Sequence, residues 1–246
     1  MSTQNGSFSF NKTDLLLYID PSNPRGYDNQ FIYDLSYNKG FTFSMNNGAT
    51  FSLSNNKVFQ FDGITSTTAS NVATADGVTY TMGTQMTWDV WFKRTNENNM
   101  FNMVYSHNLP YLSFRGAGGS NKFLFSWANK ISTVPTQQTL FTPLSYSNNI
   151  WYNVATTLNH DLISGSCSAT IYVNGLFVTS TTILSIDTDS VYQPFGAILI
   201  GNYGSPFGGT RYPFTGNIGP LRVWKRILTP SEISESYNSL KSRYGY

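Results

Sequence analysis

Apolar and polar residues alternate in short runs along much of this chain, and clusters of Gly, Asn and Pro separate the runs. Such a period of two places successive side chains on opposite faces of a β-strand. Residues 86–93 and 167–173 both alternate in this way, and the second run leads into Asn174-Gly175. Because Asn-Gly favours the type I′ turn that joins paired strands, a hairpin is expected there. The chain is therefore predicted to be an all-β domain.

Further strands are predicted at residues 123–127, 151–158, 197–200 and 221–224, where β-branched and aromatic residues are concentrated. Trp91 is unusual, because it occupies the polar side of the 86–93 run. Cys167 is on the apolar side of its run, which predicts a buried, inert thiol.

One helix is predicted near the end, over residues 230–242. Thr229 can cap it, Pro230 occupies the first helical position, and Glu232 completes a capping box. An apolar stripe follows, made of Ile233, Tyr237 and Leu240. The stripe indicates a helix that packs against the strands or their rim.

Composition limits the possible partners. Only 11% of the 246 residues are charged, against about 25% in an ordinary soluble domain. The net charge of +2 comes from 15 basic and 13 acidic residues, with no basic stripe for nucleic acid; the densest basic cluster is Arg222, Lys225 and Arg226. No run of about 18 apolar residues is present, so insertion into a membrane is not expected.

The first ten residues are polar and lack the basic start and apolar stretch of a secretory signal. Cys167 is the only cysteine, which excludes an intramolecular disulfide. We expect residues 1–12 to form an N-terminal arm, either flexible or docked on a partner. Residues 13–246 are expected to form a single domain that is made in the cytoplasm.

Several short motifs follow one another along nearly the whole chain. In the first half of the chain they are Leu17-Tyr18-Ile19-Asp20 with Asn23 and Tyr27, Tyr33-Asp34-Leu35-Ser36 with Asn38, and Phe61-Asp62-Gly63. In the second half they are Trp151-Tyr152-Asn153-Val154-Ala155, Tyr172-Val173-Asn174-Gly175, Phe214-Thr215-Gly216-Asn217-Ile218, and Arg222-Val223-Trp224-Lys225-Arg226 with Leu228, Glu232 and Tyr237. In their order these motifs resemble those of laminin G-like domains in the concanavalin A-like lectin/glucanase superfamily, in the form found in phage and viral structural proteins.

The resemblance implies an all-β fold, a two-sheet antiparallel jelly-roll sandwich with one short C-terminal helix. It does not imply one function, because one fold supports many. We expect a non-catalytic module on a virion surface that recognises a host glycan or protein. The alternative is a structural capsid decoration or assembly subunit without a ligand, bound to other virion proteins or to copies of itself.

A polysaccharide hydrolase is the third possibility. Glycoside hydrolysis needs two carboxylates flanking the scissile bond, and hydrolases of this fold place Glu-x-Asp-x-Glu on one strand. That string is absent here; Glu97 is the only glutamate before the terminal helix. Asp187 and Asp189 are interpreted as loop residues, and His107 and His160 as surface loop residues, so we expect no catalytic site.

Calcium is the one metal that the resemblance suggests, at the sandwich rim, with Asp62 as its ligand. Related domains often have a second acid shortly after the glycine that follows, where this chain has Ile64-Thr65-Ser66. Asp62 either contributes to a weak calcium site or caps a turn through its own backbone.

A recognition surface is predicted in the Gly- and Pro-rich segment 201–213. Aromatic faces with amide and guanidinium donors suit a saccharide. The candidate ligand-binding residues are Asn202, Tyr203, Phe207, Arg211 and Tyr212. Equally, the aromatic side chains could cover the end of the sandwich as part of a structured loop.

Overall fold

The computed structural model describes residues 12–27, 31–37, 42–46, 49–52, 57–63, 71–74, 84–95, 101–106, 112–116, 121–131, 134–184, 198–201 and 214–246. The strands are β1 (Leu15–Ile19), β2 (Phe31–Tyr33), β3 (Thr42–Asn46), β4 (Thr50–Ser52), β5 (Val58–Asp62), β6 (Asn71–Thr74), β7 (Gln85–Arg94), β8 (Phe101–Ser106), β9 (Leu112–Gly116), β10 (Phe123–Ile131), β11 (Val134–Phe141), β12 (Trp151–Asp161), β13 (Ser166–Val173), β14 (Leu176–Leu184), β15 (Ile198–Ile200) and β16 (Thr215–Trp224). Helix α1 (Pro230–Asn238) and a 3-10 turn (Lys241–Tyr244) follow β16. Within these ranges no helix is long and apolar enough to cross a bilayer.

The strands form two eight-stranded antiparallel sheets. Sheet A has the order β14-β13-β12-β7-β16-β5-β4, and β1 also pairs with β16. Sheet B has the order β11-β10-β9-β8-β15-β6-β3-β2. The predicted all-β, two-sheet jelly-roll sandwich with one short C-terminal helix is confirmed.

The apolar residues of the alternating runs meet in the core. In β7 the buried core positions are Met86, Trp88, Val90 and Phe92. In β10 they are Phe123, Phe125 and Trp127. Cys167 belongs to the same core and is buried, as predicted. Burial of this apolar surface between the sheets is the main stabilisation that the pattern predicts.

The β13–β14 hairpin has the predicted turn. Asn174 and Gly175 have φ values of 51° and 76°, which the type I′ turn requires at both central positions. Gly175 is favoured for a second reason. A β-carbon there would lie 3.0 Å from the Tyr237 Cβ, which is closer than most such contacts, so a larger residue would require Tyr237 of α1 to move by a few tenths of an ångström.

The C-terminal segment covers the other face of sheet A, and this explains Trp91. Its fully buried ring stacks on Tyr237 of α1 with 5.5 Å between centroids, and on Tyr244 of the 3-10 turn at 4.4 Å. The polar side of β7 is thus not a solvent face. We call this surface, with the residues 225–246 packed on it, the covered face.

Charged groups are also buried at the covered face. The Arg222 Nη2 lies 3.2 Å from Asp89 Oδ2, and both side chains are nearly inaccessible. Asp89 also accepts hydrogen bonds from Ser236 Oγ and from the Asn153 side-chain amide. Arg222, the first member of the basic cluster, therefore has a structural role.

Helix α1 begins as predicted and ends sooner. The Thr229 hydroxyl accepts from Glu232 N, and the Glu232 carboxylate accepts from Thr229 N, which completes the capping box. The helix ends at Asn238 rather than at residue 242. Asn238 and Ser239 are weak helix formers, and Ser239 Oγ donates to the Ser236 carbonyl instead.

Candidate functional site

A cleft lies at the edge of sheet A, where two strands meet beside an irregularity in β16. The register of β16 shifts between Ile218 and Leu221. Before the shift β16 pairs with β5, with Ile218 opposite Phe59; after it, β16 pairs with β1, with Leu221 opposite Ile19. The end of β1 and the start of β5 therefore approach each other at this point.

The loop after β1 forms one wall of the cleft and is held by its own turns. The Asp20 carbonyl accepts from Asn23 N at 3.0 Å, and the Asn23 carbonyl accepts from Gly26 N at 2.9 Å. Asp20 Oδ1 also accepts from the Ser22 backbone and hydroxyl. These bonds fix residues 20–26 before any ligand arrives.

Asp20 connects this loop to the covered face. It is 4% exposed, and its two carboxylate oxygens lie 2.9 and 3.3 Å from the Arg243 guanidinium. Burial alone would raise the pKa of Asp20. The Arg243 charge, with hydrogen bonds from Arg243 and Ser22, outweighs that effect and lowers the pKa below its ordinary value.

The second acid of the N-terminal motifs has a similar structural role. Asp34 Oδ1 accepts from Tyr18 N at 2.9 Å and from Ser36 N at 2.8 Å, and its other oxygen accepts from the Ser36 hydroxyl. Asp34 is buried and ties residues 34–36 to β1. These two motif acids thus stabilise the fold.

The cleft has a volume of ≈ 320 Å³. The described residues that line it, which we call the edge cleft, are Pro21, Ser22, Asn23, Pro24, Tyr27, Phe51 and Lys57. Two half-buried rings face each other within it, because Tyr27 and Phe51 have centroids 4.4 Å apart and planes inclined by 34°. Phe51 rests in turn on buried Phe59, at 6.3 Å. Phe51 is therefore supported by the core, and both rings are partly exposed.

Polar groups surround these rings. Asn23 Oδ1 accepts from Arg25 N, which leaves the amide nitrogen as a donor for a ligand. The Ser22 hydroxyl donates to Asp20 and keeps its acceptor lone pairs. Lys57 is exposed and adds three donors. An apolar surface with a few fixed polar groups is typical of a small-ligand site.

Asp62 lies at the other end of β5, next to the base of the predicted recognition loop. Asp62 pairs with Thr215, and the Phe214 N donates to the Gly201 carbonyl at 2.8 Å. This bond joins the two ends of the segment 202–213. The Phe61 ring packs against the base, since a β-carbon on Gly201 would lie 2.2 Å from its Cε1.

The five predicted ligand-binding residues, Asn202, Tyr203, Phe207, Arg211 and Tyr212, lie outside the described residues. Only the two ends of their loop are placed. The structure puts Asp62 beside these ends, and it puts the edge cleft at the opposite end of β5 from Asp62.

The weak calcium site at Asp62 stays a prediction, because residues 64–70 beside it lie outside the described residues. No group of three His, Cys, Asp or Glu side chains that could hold a metal occurs within the described part of the chain. Asp62 is an exposed side chain at a strand end, next to Gly63 with a φ of 70°.

The interpretation of His160 as a surface loop residue was wrong. His160 lies within β12 and is 5% exposed, and burial lowers its pKa to about 4. It shares the core-facing parity of Tyr152, Val154 and Leu158, which the alternation of β12 requires. His107, Asp187 and Asp189 lie outside the described residues.

A family comparison agrees with this architecture. The model of the concanavalin A-like lectin/glucanases superfamily named Laminin_G_3 matches residues 66–234. The chain belongs to this family. No curated protein matches the laminin G-like domain in sequence.

The laminin G-like domain is also similar to solved structures. Botulinum neurotoxin type C, whose cell entry depends on two ganglioside molecules, matches 93% of the chain at 16% identity and a TM-score of 0.67. The binding domain of botulinum neurotoxin DC in complex with SialylT matches 94%, at 14% identity and a TM-score of 0.65. The chain spans about half of these two toxin chains, 52% in each.

A third structure is matched over nearly its whole length. Domain 4 of AbnA, a GH43 extracellular arabinanase from Geobacillus stearothermophilus, was solved in complex with arabinotriose. The match covers 90% of the present chain and 97% of the arabinanase domain, at 16% identity and a TM-score of 0.63. At such identities the likeness shows the shared fold.

Sequence reasoning missed the edge cleft. Asn23 and Tyr27 were singled out only as family motif residues, and Phe51 and Lys57 were not singled out. The available signal was the turn-forming string Pro21-Ser22-Asn23-Pro24 beside an aromatic residue. The other wall depends on the pairing of β5 with distant β16, which local patterns do not encode.

Proposed function

We propose that this laminin G-like domain is a non-catalytic module that binds a glycan in the edge cleft. The observation that carries the proposal is the pair of half-buried rings, Tyr27 and Phe51, set beside fixed polar groups. An aromatic face offers a surface for the C–H groups of a sugar ring, and amide, hydroxyl and ammonium groups bond its hydroxyls.

The comparisons support this proposal. Domain 4 of the arabinanase was solved with arabinotriose, and the neurotoxin DC binding domain with SialylT. Two domains with a similar fold have thus been solved with a bound ligand, which for the arabinanase domain is arabinotriose. Asp20 and Asp89, two buried acids of the domain, are engaged with Arg243 and Arg222, which also supports a binding role over a hydrolytic one.

A glycan array tests the proposal directly. Wild-type protein is expected to bind a defined set of saccharides, and Phe51→Ala to lose about tenfold or more in affinity while remaining folded. The matched control is Phe141→Ala, because Phe141 is a 47% exposed ring on β11, at an edge of sheet B and away from the edge cleft. Equal binding by both variants and the wild type would exclude the edge cleft as the glycan site.

The loop 202–213 is proposed as a second contact surface, through Asn202, Tyr203, Phe207, Arg211 and Tyr212. Its support is the joined base at Gly201 and Phe214, which fixes where the loop leaves the sandwich. A contact role predicts that Tyr203→Ala and Tyr212→Ala reduce binding and keep the melting temperature. A purely structural role predicts a lower melting temperature with unchanged binding per folded molecule.

The biological setting is a further part of the proposal. We place the module on a virion surface, where it would attach the particle to a host glycan. The support is the resemblance to phage and viral structural proteins, together with a low charged fraction of 11% and a single, buried cysteine. Immunogold labelling of purified particles tests this placement, and labelling confined to host material would reject it.

An assembly function is the second candidate, and strand β14 favours it. This edge strand has no charged residue or proline over its nine residues, and it exposes Leu176, Phe177 and Leu184 by 71%, 62% and 72%. Such an edge is a template for pairing with another strand. Here the proposed occupant is β14 of a second copy. Light scattering should then give a molar mass of twice 27.5 kDa for the wild type, as for a dimer, and of 27.5 kDa for Phe177→Lys, as for a monomer.

A further inference from the structure

We infer that the edge cleft selects a saccharide that ends in an acidic sugar, whose carboxylate is bound by the Lys57 ammonium group. The inference rests on the proposed glycan-binding function and deepens it. Three observations carry it: the backbone and charge of Lys57, the neutralised state of the nearby acid, and the size of the cleft.

Lys57 has an unusual backbone for its position. Its φ of 51° lies in the left-handed region, which residues with a β-carbon other than Asn and Asp rarely adopt. Strained backbone of this kind concentrates at ligand sites. Lys57 is exposed at the start of β5 and makes no ion pair with any described residue. Its charge is thus available to a ligand.

Among the described residues, the charged side chains at the edge cleft and its loop are basic or already paired. Asp20, the acid at the base of the loop, is buried and paired with Arg243, so it does not compete for Lys57. Arg25, which projects from the same loop, is exposed. Between Phe51 and Lys57 the sequence contains no charged residue. A cleft with unpaired positive charge attracts an anion and disfavours a cation.

The volume indicates how much of a glycan enters. At ≈ 320 Å³ the cleft lies at the lower end of the range of about 300–1,000 Å³ for small-ligand sites. It therefore suits one terminal unit rather than a long chain. If Tyr27 and Phe51 contact the sugar ring and Asn23 bonds one of its hydroxyls, the Lys57 ammonium group is positioned for a negatively charged substituent of the sugar.

Two matched pairs of saccharides test the inference and distinguish the two common sources of a sugar carboxylate. The first pair is 3′-sialyllactose and lactose, and the second is cellobiouronic acid and cellobiose. Calorimetry or NMR titration at low ionic strength should show at least one acidic member binding about fivefold or more tighter than its neutral partner. The preference should shrink when salt is raised.

Lys57→Asn removes the charge and keeps a residue that tolerates positive φ, so the fold is retained. It should abolish the preference, and Lys57→Arg should preserve it. The matched control is Lys225→Gln, which removes an exposed lysine at the far end of β16.

The outcomes separate the two proposals. Equal affinity for the acidic and neutral members of both pairs, or an unchanged preference in Lys57→Asn, overturns the charge assignment and leaves glycan binding in place. If neither of the two acidic saccharides binds, the charge assignment is also overturned. If the wild type binds no saccharide on the array, and Phe51→Ala behaves identically, the proposed function itself fails.

Discussion

The covered face of sheet A and the edge cleft contain the same kinds of side chain and use them differently. At the covered face Trp91 is enclosed between Tyr237 and Tyr244, and Asp89 pairs with Arg222 away from solvent. In the edge cleft the rings are half-buried and Lys57 is exposed. A fully buried group stabilises the fold through its partners, whereas a partly or fully exposed group such as Phe51 or Lys57 can also contact a ligand.

The largest effect on stability is expected at the buried ion pair of the covered face. Asp89→Ala leaves Arg222 as an uncompensated buried charge, and this should lower the free energy of unfolding by about 3–5 kcal/mol. Urea denaturation measures the loss. The double variant Asp89→Ala, Arg222→Met should recover a large part of it, because the orphaned charge is removed. A loss below about 1 kcal/mol in the single variant would mean that this charge is solvated.

The second prediction concerns His160, which is buried and has a pKa lowered to about 4 by that burial. Because its pKa in the unfolded chain is about 6.5, protonation favours unfolding. The contribution of the neutral imidazole to the free energy of unfolding is complete above pH 6.5. It is lost as the pH falls towards 4, by up to about 3 kcal/mol.

His160→Gln should therefore show a flatter stability profile than the wild type between pH 6.5 and 4.5, as measured by urea denaturation at each pH. Parallel profiles for the two proteins would contradict the burial of the imidazole.

The third change connects the two regions. Asp20→Asn removes the charge that pairs with Arg243 and should lower the free energy of unfolding by about 1–3 kcal/mol. Because the folded pKa of Asp20 is below its ordinary value, this contribution is present above about pH 4 and disappears as the pH falls through the folded pKa.

Asp20→Ala, which also removes the oxygen that accepts the two Ser22 hydrogen bonds in the wall of the cleft, should in addition weaken glycan binding. A variant that loses stability at neutral pH and binds as the wild type would show that the loop does not depend on this pair.

The smallest effect on stability is expected at the cleft. Lys57→Asn should change the free energy of unfolding by less than about 0.5 kcal/mol, because a surface residue away from buried networks contributes little. A loss above about 1 kcal/mol would make Lys57 a structural residue and remove the contrast between the two regions.

Much of the fold could be predicted from the sequence because its signals are local. The alternation in β7 and β12, the Asn174-Gly175 turn and the capping box at Thr229 each depend on neighbouring residues. The end of α1 was predicted too late, because Ser239 Oγ competes for a backbone carbonyl.

The predictions that failed or were missing depended on distant contacts. Trp91 on the polar side of β7 needs Tyr237 and Tyr244, about 150 residues later, to be explained. The sequence around His160 is typical of a turn. Strand β12 nevertheless continues past this residue, because it pairs with β7 and β13 along its length. The edge cleft requires the register shift in β16, and the predicted loop site at 202–212 lies outside the described residues.

The most direct test of the central claim is to locate a bound glycan on the protein. In an NMR titration with the tightest saccharide from the array, backbone amide signals of Ser22, Asn23, residues 25–27, Phe51 and Lys57 should shift, with saturation at one site. Signals of Asp62 and Thr215, at the opposite end of β5, should stay in place. Shifts confined to Asp62, Thr215 and the loop that starts at Gly201, with none at Tyr27 or Phe51, would contradict the assignment of the edge cleft as the glycan site.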